Sequence, residues 1–308
     1  MEPRNTSTVT EFHLLGFQNL SAQQALLFPV FVIMYLLSVT GNLTIIVFVS
    51  QNPWLSTPMY TFLKHLSFLL FWCTTTFAVM LLTCLLSWRW AISFPACMTL
   101  LYFFVFFGAM ECFLLTTMAY DHYLAICNPL HYTTLMCPGA CMKYLVGSWV
   151  AGVWTSLVPS LMNLKLRFCG CNHIDHFFGD ILPQIQLSCS SRATSEKVMS
   201  IVEPCICFLL TLFSYNFIVS NVLKIPSASG QRKTFSTCSS HLAVVAIYNR
   251  TIISRYVWPN AYLLPHLNKV ISVFYSVMTP LLNPIVYSLR NRDFKELLKK
   301  VFKRNSGI

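Results

Sequence analysis

Apolar side chains come in long, almost unbroken runs along this chain, separated by short polar stretches. A helix needs about 20 mostly apolar residues to cross the hydrocarbon core of a bilayer. Runs of that kind predict seven spans, at 25–50, 59–86, 97–121, 143–163, 198–222, 236–258 and 268–289. The first, from Ala25 to Ser50, holds no charged residue. The sixth is the weakest, because it carries Arg250 and Arg255, but Phe235 to Tyr248 is apolar or small with only His241 ionisable. The pattern therefore predicts an all-α membrane protein, a seven-transmembrane helix bundle. After it, Phe294, Leu297, Leu298, Val301 and Phe302 recur at helical spacing with lysines on the other face. That is the mark of a short amphipathic interfacial helix at the C-terminus, lying against anionic lipid.

Composition excludes the soluble alternative. Hydrophobic residues are 56% of the chain, charged residues 10%, and the mean hydropathy is +0.60, whereas a soluble domain carries about 25% charged residues. The net charge of +11 would point to nucleic acid on a soluble protein. Here the basic residues sit at the edges of spans, and Arg290, Arg292, Lys295, Lys299, Lys300, Lys303 and Arg304 crowd the tail. The partner this charge implies is the lipid bilayer, not nucleic acid. Lys64, Lys143, Lys224, Arg232 and Lys233 fall on the same side as the tail. Basic residues in short loops mark the cytoplasmic side, which places the amino terminus outside a multi-pass plasma-membrane protein. The expected organisation is an extracellular segment at 1–24, the bundle at 25–289 and a cytoplasmic tail at 290–308. Met1 to Ser21 has no basic-then-apolar signal pattern, and it holds two glycosylation sequons, at Asn5 and Asn19.

Enzyme chemistry finds no footing. No G-x-S-x-G or H-E-x-x-H string occurs, and the thirteen cysteines form no spaced zinc quartet. The reading is no enzyme, no cofactor and no metal. Ionisable groups at membrane depth are costly and usually functional, and Glu111, Glu203 and Arg250 are three such residues. Glu203 and Arg250 read either as a pair across the fifth and sixth helices or as a place where Arg250 or Arg255 meets an anionic ligand. A small transporter or channel would also use such groups. Against it stand the absence of internal repeats and the lack of a polar stripe along one helix.

A series of short strings runs in order across nearly the whole chain. They are Gly41-Asn42, Pro58-Met59-Tyr60, Met118-Ala119-Tyr120-Asp121, Tyr123, and Ala125 through Tyr132. Lys233, Phe235 through Leu242, and Asn283 through Asn291 follow. From about Thr10 to Phe302 the chain resembles the vertebrate odorant (olfactory) receptor family of rhodopsin-like, G-protein-coupled receptors. The resemblance implies a small volatile odorant as ligand, a heterotrimeric stimulatory G protein as partner and a rise in cyclic AMP. It places ligand positions at Phe104, Val105, Gly108 and Ala109 on the third helix. Met199, Ser200 and Glu203 on the fifth complete the set with Tyr248, Arg250, Thr251, Ile252 and Arg255 on the sixth. The switch that engages the G protein falls on Asp121, His122, Tyr123, Tyr215, Asn283, Pro284 and Tyr287. Physically, Pro284 removes a backbone donor and bends the seventh helix, and Asn283 can satisfy the freed groups. Asp121 lies at the expected cytoplasmic end of the third span, where a charge stays hydrated.

Three positions depart from the family pattern. Where the family carries Arg after Asp121, this chain has His122, shorter and without the guanidinium's fixed fork of donors. Coupling that is weakened and coupling that tolerates the change both stand open, and so does a receptor-like protein that no longer signals. Leu70 replaces an acid that, with Glu111, can hold a cation near the bundle centre in the family. Gly179 in His176-Phe177-Phe178-Gly179 replaces the family's loop cysteine. The resemblance then implies a Cys169–Cys189 disulfide, and whether Cys97 pairs with Cys171 stays open.

Overall fold

The structure, a computed structural model, describes residues 10–14, 21–55, 57–87, 91–164, 173–174, 193–224, 227, 231, 241–247 and 279–290. Long helices dominate them: α1 (Ser21–Gln51), α2 (Pro58–Ser87), α3 (Phe94–Cys127), α5 (Pro138–Leu164) and α6 (Ala193–Leu223). A short α4 (Tyr132–Leu135) links α3 to α5, and α7 (Thr279–Arg290) ends the described chain. Residues 241–247 form a further helical segment. Among the described residues, four helices are long and apolar enough to cross a membrane, namely Phe28–Gln51, Pro58–Leu86, Phe94–Cys127 and Pro138–Leu164. The predicted spans at 25–50, 59–86 and 143–163 coincide closely with α1, α2 and α5. Most of the sixth span, the first part of the seventh and the amphipathic tail lie outside the described residues.

The third helix runs past its predicted end at 121. Apolar Leu124, Ala125 and Ile126 carry the helical pattern through the polar Asp121-His122 pair. The helix stops only at Asn128, whose N–H bonds the carbonyl of Leu124 at 3.0 Å. Pro129 follows and disfavours the helical conformation for the residue before it. This extension puts Asp121 inside the helix rather than at its tip, and α4 folds back over it.

α3 is the central element. It packs against α2, α5 and α6, while α1 packs against α2 and α7. Its buried residues recur around most of its circumference, from Cys97 and Leu101 through Met110, Leu114 and Met118 to Leu124. Outward-facing Leu36, Leu37, Val150, Trp154, Leu209 and Phe213 are exposed, as lipid contact requires. The α3–α5 crossing is close because Gly152 has no side chain: a Cβ there would lie 2.5 Å from the Met110 sulfur.

A small sheet, absent from the sequence expectation, closes one end of the bundle. Its strands are β1 (Glu11–Leu14), β2 (Ala91–Ser93) and β3 (His173–Ile174), in the order β2-β1-β3. β1 runs antiparallel to β2, with Phe12 opposite Ile92, and parallel to β3, with His13 opposite His173. Side chains alternate across a strand, so Phe12, Leu14 and Ile174 are fully buried while Glu11, His13 and His173 face outward.

The joint between α1 and α7 turns on a proline. Pro284 has no N–H to offer the carbonyl four residues back, that of Pro280. Asn42 of α1 replaces the missing donor: its Nδ2 bonds the Pro280 carbonyl at 3.1 Å and also the Ser38 carbonyl at 2.8 Å. The sequence assigned that role to Asn283, which points elsewhere because a neighbour on another helix reaches the orphaned carbonyl more directly. Gly41 makes the approach sterically feasible, since a Cβ there would sit 3.0 Å from the Pro284 ring. Asn42→Leu should therefore lower the thermal stability of the purified protein by about 0.5–2 kcal/mol, the range of interhelical hydrogen bonds in a membrane. Unchanged unfolding would remove Asn42 from this role.

Candidate functional site

Of the expected switch residues, Asp121, His122, Tyr123 and Tyr215 converge at the sheet-distal end of α3. Asp121 is 2% exposed, and its Oδ1 accepts a hydrogen bond from the Tyr132 hydroxyl at 2.8 Å. The expectation of a hydrated charge thus gives way to a covered one, because α3 continues for another six residues and α4 lies across it. Burial, and then the neighbouring Asp121 charge, push the Tyr132 hydroxyl above the usual phenol range. Tyr132 therefore stays protonated as the donor.

One step along α3, His122 is buried and meets the ring of His241 edge-on, with centroids 5.3 Å apart at 64°. His241 is fully buried, its Nδ1 lies 2.5 Å from the Tyr215 hydroxyl, and the two rings stack 5.9 Å apart. Tyr123 stacks on Tyr120 and touches Phe217 edge-on. Ala119, Tyr215, Ile218 and Val222 form a small apolar cluster, flanked by Tyr123, Ile126 and Leu242. The result is a continuous aromatic and imidazole contact joining α3, α6 and the segment at 241–247. A guanidinium at 122 would bring a permanent charge and five donors to this place; the imidazole makes a packing contact instead.

A second group sits halfway along the bundle. Asn283 of α7 is 2% exposed, and its Nδ2 donates to Glu111 Oε1 at 3.4 Å. Glu111, Cys73, Phe77, Phe104, Phe107, Gly108 and Pro280 line a small cavity with room for about one water-sized group. Leu70, where an acid was expected, is 1% exposed and packs in the apolar core. The Oδ1 of Asn42 has no hydrogen-bond partner among the described residues. Ser38 and Thr74 bridge α1 and α2 hydroxyl to hydroxyl at 3.1 Å.

Of the expected ligand positions, Phe104 and Gly108 line this cavity, on the side of α3 that faces α2 and α7. Phe77 meets the rings of Phe104 and Phe107 edge-on at 5.8 and 6.3 Å. Ala109 is buried and Val105 half-buried. Met199, Ser200 and Glu203 lie on α6 and Tyr287 on α7, with side chains outside the described residues. Tyr248, Arg250, Thr251, Ile252, Arg255, Cys169, Cys171, Cys189, Asn5 and Asn19 also fall outside them. Cys97 is fully buried in the first turns of α3. The contacts that sequence reasoning missed are Tyr132 and His241. Both stood within the motif strings, but nothing in their spacing pairs them with Asp121 and His122.

Known proteins place this geometry. The crystal structure of squid rhodopsin superposes with a TM-score of 0.73 at 18% identity, covering 92% of this chain and 86% of that one. The fold is therefore the seven-helix, rhodopsin-like bundle. A family model described as olfactory receptor matches residues 31–305. Olfactory receptor 11L1 of Homo sapiens is 60% identical over 311 residues, covering 100% of this chain and 97% of that protein. Olfactory receptor 1M1 of Mus musculus is 41% identical over 307 residues, covering 99% and 98%. The chain belongs to the olfactory receptor family. It is accordingly a multi-pass receptor of the plasma membrane, and not an enzyme.

The Tyr132–Asp121 bond has a direct test. Tyr132→Phe and Asp121→Ala should each lower the stability of the sheet-distal end of the bundle, and the pair should be non-additive by about 1–3 kcal/mol, the range for a bond to a charged group. Thermal unfolding of the two single variants and the double variant completes the cycle. Simple additivity would show that the two side chains do not act together.

Proposed function

We propose that this receptor binds small volatile odorants within its helix bundle and signals through a stimulatory G protein to raise cyclic AMP. The amino terminus and the three-stranded sheet face outside; the α3–α4 junction and the tail face the cytoplasm. The observation that carries this reading is the closed His122–His241–Tyr215 contact, which holds α3 and α6 against the segment at 241–247. A ligand shifts an equilibrium only by its differential affinity for two states. Binding that favours separation of these helices would open the face on which a G protein docks. The remaining parts of the proposal follow the family resemblance. They are a pocket completed by Met199, Ser200, Glu203, Tyr248, Arg250, Thr251, Ile252 and Arg255, a Cys169–Cys189 disulfide, and sugars on Asn5 and Asn19.

One observation favours a second reading, a receptor-like protein with lost coupling. His122 is wholly engaged in ring contact, and it cannot offer the reach or charge of Arg. Cyclic AMP in cells expressing the native chain with an olfactory-type G protein, under a panel of odorant mixtures, separates the two. The expected outcome is a response from the native chain and a larger one from His122→Arg at equal surface staining. A response from His122→Arg alone would mean an intact pocket behind a disabled switch. Silence from both at good surface staining would sink the signalling proposal.

A further inference from the structure

We infer that His13 and His173 form a binding site for a borderline divalent transition-metal ion, of which zinc is the probe. The two residues are direct partners across the parallel β1–β3 pair. The alternation that buries Phe12, Leu14 and Ile174 turns both imidazoles to the same outer face, where both are exposed. Their ring centroids lie 5.4 Å apart, with planes inclined at 30°.

That spacing matches shared coordination of one ion by both rings. Zinc binds imidazole nitrogen at about 2.0–2.1 Å in tetrahedral geometry, which sets the centroids of two ligating rings roughly 5.3 Å apart. Imidazole nitrogen suits zinc and copper(II) among the divalent ions, whereas magnesium and calcium seek oxygen. Among the described residues no group of three or more His, Cys, Asp or Glu is assembled for a metal. The site is thus a two-imidazole one whose remaining positions belong to water or an incoming donor. It is weaker than a closed structural zinc site, and it is open to solvent.

Its consequence is mechanical. β1 comes from the amino-terminal segment, and β3 from the stretch between α5 and α6. Two residues of β3 are all that joins it to the sheet, so a metal bridge beside that short ladder would fasten the two segments together. The geometry stands independently of the odorant proposal; on the orientation proposed there, the site meets extracellular metal.

The test uses the full-length receptor in lipid nanodiscs, unfolded thermally with zinc chloride or with a chelator. A ligand that binds the folded state alone raises the unfolding temperature in proportion to its saturation. The expected result is a rise of several degrees with zinc in the native chain, largely lost in His13→Asn and equally in His173→Asn. No rise in the native chain, or the same rise in both variants, would overturn the proposal. Footprinting of histidines in the native receptor with an acylating reagent needs no variant. Zinc should protect His13 and His173 together at least several-fold, and reactivity unaffected by zinc counts against the site.

Discussion

One hydrogen bond organises the described half of the bundle around α7. A proline inside a helix leaves a carbonyl four residues back without its donor, and in lipid no water stands ready to supply one. The Asn42 amide reaches across from α1 to the Pro280 carbonyl, and the bare backbone of Gly41 lets the Pro284 ring come close enough for the two helices to stay in register. α1 is thereby fixed to α7 as well as to α2, and Asn283 is released to turn inward to Glu111. The α1–α7 joint and the inward turn of Asn283 at the polar centre of the bundle both follow from one missing N–H.

The departures from the family pattern take on physical content in this frame. Leu70 joins the apolar core in place of an acid, and the Asn42 Oδ1 has no hydrogen-bond partner among the described residues. Glu111 then accepts a hydrogen bond directly from Asn283 and lines a cavity of about one water's size. At the sheet-distal end of α3 His122 exchanges a charged, multi-donor side chain for a ring that packs against another ring. Both changes replace a charge with an apolar or aromatic contact. Both therefore remove electrostatic leverage from contacts between helices, while leaving the packing intact.

The same close packing explains why contacts rather than residues were the hidden part of the site. Asp121, His122, Tyr123, Tyr215, Glu111 and Asn283 were all visible as unusual or patterned residues. That Tyr132 would cover Asp121, or that His241 would sit between His122 and Tyr215, was not. Those pairings depend on how far α3 continues past its apolar run and on how α6 lies against it. Phe104 and Gly108 make the same point, since their helix was known but their neighbours turned out to be on α2 and α7.

Apolar periodicity by itself determined the helical membrane class and the approximate place of the described spans, because the bilayer imposes a length and a polarity on any segment that crosses it. It could not determine the small sheet, since a four-residue strand such as Glu11–Leu14 carries too short an alternation to stand out and becomes a strand only when Ala91–Ser93 and His173–Ile174 come alongside. Nor could it assign the donor for the Pro280 carbonyl, or bring His13 beside His173. Each of these joins residues far apart in the chain. Local spacing constrains what a segment is, and only the packed structure decides what it touches.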